Sequence, residues 1–302
     1  MDISVIIINF QSEDLIKSCL NSLKKVFGNE AAIYIVDNSE DSSKLDELHS
    51  FNKNITVISP GNNIGFAKAN NIAANQTKTE YLLFLNPDTV ILEDFLSPIL
   101  NFIEQNKNIG ACAPMLVYEN MKYQSSTGFR AGTAYEFLEA FMLITIFRKL
   151  FRFIKRRFFK NGLPIEVGWV SAACMILRKD VFDKVSGFSE DYFLNYEDID
   201  LCRRIEDAGY KNYYFPAQKC VHLDHRSFKN NFEVLITSRY KSRLIYSKKY
   251  YSFTTAFLVR IMHLAGLFLR ISCSPFIFRG IERKKRLSGY LKSLKMLLAF
   301  NV

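Results

Sequence analysis

Two kinds of apolar pattern alternate through the first third of the chain. Residues 3–9, 32–37, 55–58 and 81–86 are short, nearly continuous apolar runs rich in Ile, Val and Leu. Such runs predict strands buried on both faces. Between them the apolar positions recur at helical spacing, as at Leu15, Cys19, Leu20 and Leu23, which predicts helices laid on a sheet. Strand–helix alternation implies an α/β fold with a mostly parallel sheet covered on both sides, whose ligands bind beyond the carboxyl ends of the strands. Asn9, Asp37, Asn86 and Asp88 fall at those ends. The pattern continues with a helix over 94–105 and strands over 110–117, 170–177 and 213–215. From about residue 232 the chain reads as helix.

The stretch around residues 195–204 is the most informative. Glu197, Asp198 and Asp200 follow a Gly-containing aromatic turn and precede an apolar stripe at Leu201, Ile205 and Ala208. A helix burying that stripe holds Glu197 and Asp198 in its first turn, where the backbone dipole favours negative charge. There a carboxylate can serve as general base or cation ligand, or simply cap the helix. Adjacent helical residues point about 100° apart, so one of the two faces a cleft squarely.

Length changes this picture little: 302 residues suffice for one large α/β core plus a smaller appendage. Charge changes it more. Residues 141–162 carry +7 and residues 234–302 carry +13, so the rest of the +10 chain carries about −10. Both basic segments are rich in Phe, Leu and Ile. This favours an anionic membrane surface over nucleic acid as the partner. Within residues 253–278, Arg260, His263 and Arg270 share one narrow helical arc. That is the layout of a helix lying in a membrane interface, or packed on its own domain, and the charges leave no apolar run of the roughly 20 residues that spanning requires. No charged leader precedes the first strand, so no secretory signal is expected. Six scattered cysteines without C-x-x-C spacing argue against zinc or a disulfide frame and for a reducing compartment.

Several strand-end residues carry possible chemistry. Asp88, closing Asn86-Pro87-Asp88-Thr89, can reach a divalent cation or merely shape a turn. Asp37 can accept from the ring N–H of a base or cap the following segment. Asn63, Gly65 and Asn70 lie in a loop entering a helix, a geometry that offers N–H groups to phosphate. It is neither a Walker loop nor a dinucleotide fingerprint, which disfavours hydride transfer. His222 can complete a cation site with Asp88, and the nearby Arg226 can balance a leaving diphosphate.

Taken in order, Val5 to Phe10, Val36-Asp37-Asn38-Ser39, Asn63-Ile64-Gly65-Phe66-Ala67, Leu85-Asn86-Pro87-Asp88, Gly187-Phe188, Glu197 to Arg204 and His222 resemble the family 2 inverting glycosyltransferases. The nearest likeness is to the rhamnosyltransferase-like branch that builds bacterial surface polysaccharides, over roughly residues 3–230. The resemblance implies a Rossmann-like GT-A catalytic domain over 1–230, with a basic apolar insertion at about 130–163 and a membrane-associating helical region over 231–302. It implies a nucleotide-diphosphate-sugar donor, dTDP-rhamnose first and a UDP-sugar second, touched by Asn9, Asp37, Asn63, Gly65, Asn70, Asn86, Asp88 and Arg226. Asp198 is the implied base, with Glu197 second to it. Asp88 and His222 are the implied ligands of Mg2+ or Mn2+, although the family's metal motif often carries more acids than Asn86-Pro87-Asp88. The implied acceptor is a polyprenyl-diphosphate-linked glycan at the cytoplasmic face of the inner membrane, with the protein peripheral. Two rivals remain: a sugar-phosphate nucleotidyltransferase, which would want a basic Gly-rich loop after the first strand, and a non-catalytic glycan-binding relative.

Overall fold

The structure is a computed structural model that describes residues 2–28, 30–39, 48, 54–147, 150, 157, 159–223, 232–277 and 280–299. In chain order the elements begin β1 (Ile3–Asn9), α1 (Glu13–Phe27), β2 (Ala32–Asp37), β3 (Ile55–Ile58), α2 (Phe66–Gln76), β4 (Tyr81–Leu85), β5 (Thr89–Ile91) and α3 (Leu96–Gln105). There follow β6 (Ile109–Val117), β7 (Thr127–Gly128), α4 (Thr133–Ala140), α5 (Leu143–Ile146), β8 (Ile165–Val167), β9 (Trp169–Val170), β10 (Cys174–Arg178) and α6 (Lys179–Lys184). The last are α7 (Glu197–Asp207), β11 (Lys211–His222), α8 (Phe232–Tyr250), α9 (Phe253–Ile277) and α10 (Gly280–Ala299). The chain forms two compact units. One comprises Met1–Arg130, Gly162–Glu190 and Glu197–Ser227; the other comprises Ala131–Asn161, Asp191–Tyr196 and Phe228–Val302.

The first unit is built on a nine-stranded sheet in the order β3-β2-β1-β4-β10-β6-β11-β5, with β8 also pairing β11. The strands β3, β2, β1 and β4 are parallel, whereas β10 runs antiparallel to both β4 and β6. Alternate residues of β1 (Ile3, Val5, Ile7) pack with Ile16, Leu20 and Leu23 of α1 and with Ile99 and Ile103 of α3. The periodicities that predict these elements are those of a strand and of a helix facing one another.

The structure corrects two boundaries and adds a strand. The 170–177 run is not one strand: β9 and β10 are separated by a turn at 171–173, which aims a backbone N–H at the site. The last strand is longer than 213–215, because β11 resumes pairing with β6 after a register shift between Phe215 and Lys219. Polar residues and Pro216 at that bulge mask the continuation. A short β5 pairs antiparallel with the end of β11, setting Thr89 opposite His222.

In the second unit, Tyr240, Leu244, Leu267, Tyr290 and Leu297 form the core of α8, α9 and α10. Its buried charge centre is Glu136 of α4, which accepts from His263 Nε2 at 2.8 Å and from the Tyr196 hydroxyl at 2.9 Å. The buried Arg243 guanidinium lies beside it, with Nη2 3.3 Å from Glu139 Oε1. Gly266 lets α9 cross α4 closely, since a Cβ there would sit 2.1 Å from the Ala140 carbonyl oxygen. Contrary to the expectation that no run is long enough to span, Phe253–Ser274 is long and apolar enough by length and composition, with mean hydropathy 1.6. Three separated basic residues do not outweigh so many Phe, Leu and Ile.

Candidate active site

Parallel pairing sets Asn9 and Asp37 side by side at the ends of β1 and β2. Both are buried. Asp37 Oδ1 accepts from Asn9 Nδ2 at 2.9 Å and from the Ser39 backbone N–H at 3.0 Å. Its Oδ2 is buried and has no partner among the described residues. A buried carboxylate oxygen left open is an acceptor awaiting a donor. Asn9 therefore orients Asp37. Close by, Gly65 at the start of α2 has φ +88° and donates its N–H to Asn63 Oδ1 at 3.0 Å, while Asn38 Nδ2 donates to the Gly65 carbonyl. Asn63 and Gly65 thus shape the entry to α2. Asn70 faces inward, its Nδ2 bound to the Phe66 carbonyl at 2.9 Å.

The turn after β4 and the end of β11 bring Asp88 and His222 together. His222 Nε2 lies 3.1 Å from Asp88 Oδ1 and 3.2 Å from Asn86 Nδ2. On the other side of the ring, His222 Nδ1 is 3.0 Å from Oε1 of the buried Gln124. That carbonyl oxygen only accepts, so the ring donates to it through Nδ1–H, and Nε2 faces both the Asn86 amide and the Asp88 carboxylate. An imidazole nitrogen and a carboxylate brought together in this way are groups that could hold a divalent cation. With a diphosphate supplying further oxygens, the pair fits Mg2+ or Mn2+. Among the described residues no group of three or more His, Cys, Asp or Glu side chains is placed to hold a metal ion.

Asp198 opens α7. Its Oδ1 accepts from the Ile199 N–H at 2.8 Å and its Oδ2 from the Ala172 N–H at 3.4 Å. Burial pushes its carboxyl up to about 6, against the lowering effect of those two N–H groups. Glu197 is fully packed away, with Oε2 unpartnered among the described residues. Burial and then the neighbouring Asp198 raise its carboxyl well above the usual range. Asp198 is the more accessible of the two. The preceding Asn195 and Tyr196 are both left-handed, with φ +67° and +71°, a strained approach typical of a functional helix start. Asp200, the third acid, is taken by Arg204 at 2.7 Å.

The site is continuous. Ala172 donates to Asp198, and the next residue, Ala173, accepts the Asn86 N–H at 2.9 Å. Asn86 in turn touches His222. The 171–173 turn therefore ties Asp198 to the Asp88–His222 pair. Asn71 clamps the turn ahead of α7, binding the Phe188 carbonyl at 2.8 Å and N–H at 2.9 Å. Gly187 leaves room for it, for a Cβ there would meet Asn71 Oδ1 at 2.7 Å.

Arg226 lies outside the described residues. Sequence reasoning missed Gln124, Asn71 and the Ala172 N–H. Gln124 stands in an unpatterned polar stretch, and a backbone donor leaves no mark on sequence. Asn71 closes the Asn62–Asn71 segment that reads as a loop entering a helix, where it carries no role of its own.

Comparisons with known proteins bear on the family and the fold. The model of the family described as glycosyl transferase family 2 matches residues 4–186. The rhamnosyltransferase WbbL of Escherichia coli K12 is 28% identical over 249 residues, covering 80% of this chain and 91% of that protein. The N-acetylglucosaminyl-diphospho-decaprenol L-rhamnosyltransferase of Mycobacterium tuberculosis CDC 1551 is 22% identical over 259 residues, covering 80% and 82%. Among solved structures, the mannosyltransferase PcManGT of Pyrobaculum calidifontis with GDP-Man and Mn2+ superposes with TM-score 0.59 at 11% identity. That match covers 98% of this chain and 86% of the other. The fold is GT-A-like, with a C-terminal helical region.

Proposed function

The chain belongs to glycosyl transferase family 2, and from that premise we propose that it moves one sugar from a nucleotide-diphosphate donor to a lipid-linked glycan, inverting the anomeric carbon. The sugar is rhamnose from dTDP-rhamnose as first choice, given the two rhamnosyltransferases it is similar to, and a UDP-linked hexose as second. The acceptor is a polyprenyl-diphosphate-linked glycan of surface polysaccharide synthesis, met at the cytoplasmic face of the inner membrane.

The open Oδ2 of Asp37 receives the ring N–H of the base, and the entry of α2 faces the phosphates. Asp88 and His222 would hold the divalent cation, which when bound offsets charge on the leaving diphosphate. Asp198 accepts the acceptor's hydroxyl proton while the hydroxyl oxygen bonds to the anomeric carbon. The bond from that carbon to the diphosphate breaks on the opposite face, and the nucleoside diphosphate leaves with the electron pair. The observation that supports this reading is the unbroken path Asp198–Ala172–Ala173–Asn86–His222–Asp88, which links Asp198 to the Asp88–His222 pair.

The test is transfer from dTDP-rhamnose and from UDP-sugars to N-acetylglucosaminyl-diphospho-polyprenol with Mn2+, the product's anomeric configuration being read by NMR. Transfer with inversion from one donor is the expected result. Retained configuration, or no transfer from any nucleotide sugar, would overturn it.

A further inference from the structure

The faces of α9 are reversed relative to a helix on a water-soluble domain. Its polar arc is turned into its own unit. Arg260 donates to the Leu297 and Leu298 carbonyls at 2.7 and 3.0 Å, at the C-terminal end of α10. Arg270 donates to the Ala140 and Glu139 carbonyls at 2.5 and 2.6 Å, at the C-terminal end of α4. Guanidinium groups at helix C-termini complement the dipoles there. His263, between them, is buried on Glu136. The opposite stripe is exposed yet apolar: Phe253 is 70% exposed, Phe257 45%, Leu258 56%, Ile261 45%, Phe268 57% and Leu269 40%. The stripe is about 24 Å long at 1.5 Å per residue. A contiguous apolar surface of this size marks an interaction site.

We propose that this stripe is a bilayer-docking face: α9 lies in the plane of an anionic membrane, with these side chains at the headgroup–acyl boundary. The proposal rests on the membrane location argued above and specifies which surface meets the lipid and how. Charge selects the occupant. Residues 234–302 carry fourteen Lys and Arg against Glu282 alone, and Arg283, Lys284, Lys292 and Lys295 of the neighbouring α10 are exposed. Such a surface attracts anionic headgroups and repels a second copy of itself. Spanning is disfavoured although length permits it. Crossing would drag Arg260, His263 and Arg270, with Glu136 and Arg243 bound among them, into hydrocarbon, where charges are costly.

The test uses the full chain, vesicles of phosphatidylglycerol and phosphatidylethanolamine or of phosphatidylcholine alone, and the triple variant Phe257→Ser/Ile261→Ser/Phe268→Ser. All three positions are exposed, so the variant should keep the wild-type melting temperature. Expected is sedimentation with the anionic vesicles only, weakened on the order of 100-fold in the variant. Phe268→Trp should be quenched by shallow but not mid-bilayer bromolipids, and carbonate at pH 11 should release the protein. Equal sedimentation of variant and wild type overturns the proposal. So does mid-bilayer quenching with carbonate resistance, which means spanning, or a variant-sensitive dimer that ignores vesicles. Transfer to a water-soluble acceptor, measured in parallel, separates the two readings. Its loss with docking intact sinks the enzyme assignment alone, and its survival without docking sinks this one alone.

Discussion

His222 Nε2 lies 3.1 Å from Asp88 Oδ1 because β5 pairs antiparallel with the end of β11 and sets Thr89 opposite His222. That short strand, with the Leu223 N–H bonded to the Asp88 carbonyl at 2.9 Å, brings the two side chains together. Removal of either should abolish the cation-dependent part of nucleotide binding and leave the base contact at Asp37 intact. Wild-type protein should therefore gain more thermal stability from a nucleoside diphosphate with Mn2+ than without. Asp88→Ala and His222→Ala should show the same smaller shift whether or not Mn2+ is present. A full Mn2+-dependent shift in Asp88→Ala would remove that residue from the site.

Gln124 holds the proton on His222 Nδ1, a role that partners of metal-ligating histidines commonly fill, with losses of about 10- to 100-fold on mutation. Gln124→Leu should lower Mn2+-dependent affinity for the nucleoside diphosphate by that factor, measured by titration calorimetry. Gln124→Glu, which keeps an acceptor at Nδ1, should restore most of it. Equal loss in both variants would mean that Gln124 acts through packing alone.

The parts legible in sequence are those written in side-chain periodicity. The apolar runs of β1, β2 and β4 and the acid-led stripe of α7 give themselves away, and so do the strand-end acids Asp37 and Asp88. What stayed hidden depends on tertiary pairing or on backbone. β5 is too short to carry a period, the bulge in β11 breaks its alternation, and Ala172 contributes only an N–H. The polar arc of Arg260, His263 and Arg270 was visible, but not its direction. A narrow basic arc on an apolar helix suits water or a protein interior equally well, and only the carbonyls of α4 and α10 decide it.

Glu136 illustrates a buried centre with no sequence signal. Burial alone would raise its carboxyl, but Arg243 and the hydrogen bonds from His263 and Tyr196 hold it below the ordinary value. A depressed folded-state value stabilises the fold above the unfolded value near 4.5, and that contribution fades as pH falls through the folded one. Glu136→Leu takes one of two carboxylates from the buried Arg243, leaving Glu139, and removes the acceptor shared by His263 and Tyr196; it should cost about 3 kcal/mol at pH 7. Denaturant titration should show that gap narrowing below pH 4. A constant gap across pH would mean that packing, not charge, is lost.

Asp198 carries the opposite sign. Burial lifts its carboxyl from 3.8 to about 6, so the folded state prefers the protonated acid. Its contribution to stability is complete below the unfolded value of 3.8 and is lost as pH rises through about 6. The same residue must be ionised to act as base, so activity and stability should run against each other across this window. kcat/KM should climb about tenfold per pH unit up to pH 6 and then level. Asp198→Asn should lower transfer by at least about 100-fold, the lower end of what a general base supplies, with nucleoside-diphosphate binding kept. The amide bears no charge to bury, so the variant should also melt higher than wild type at pH 8, with the advantage gone below pH 4. A variant that transfers sugar at the wild-type rate would show that Asp198 is not the base, and one that melts lower at pH 8 would show that ionising this half-buried carboxylate does not cost the fold stability.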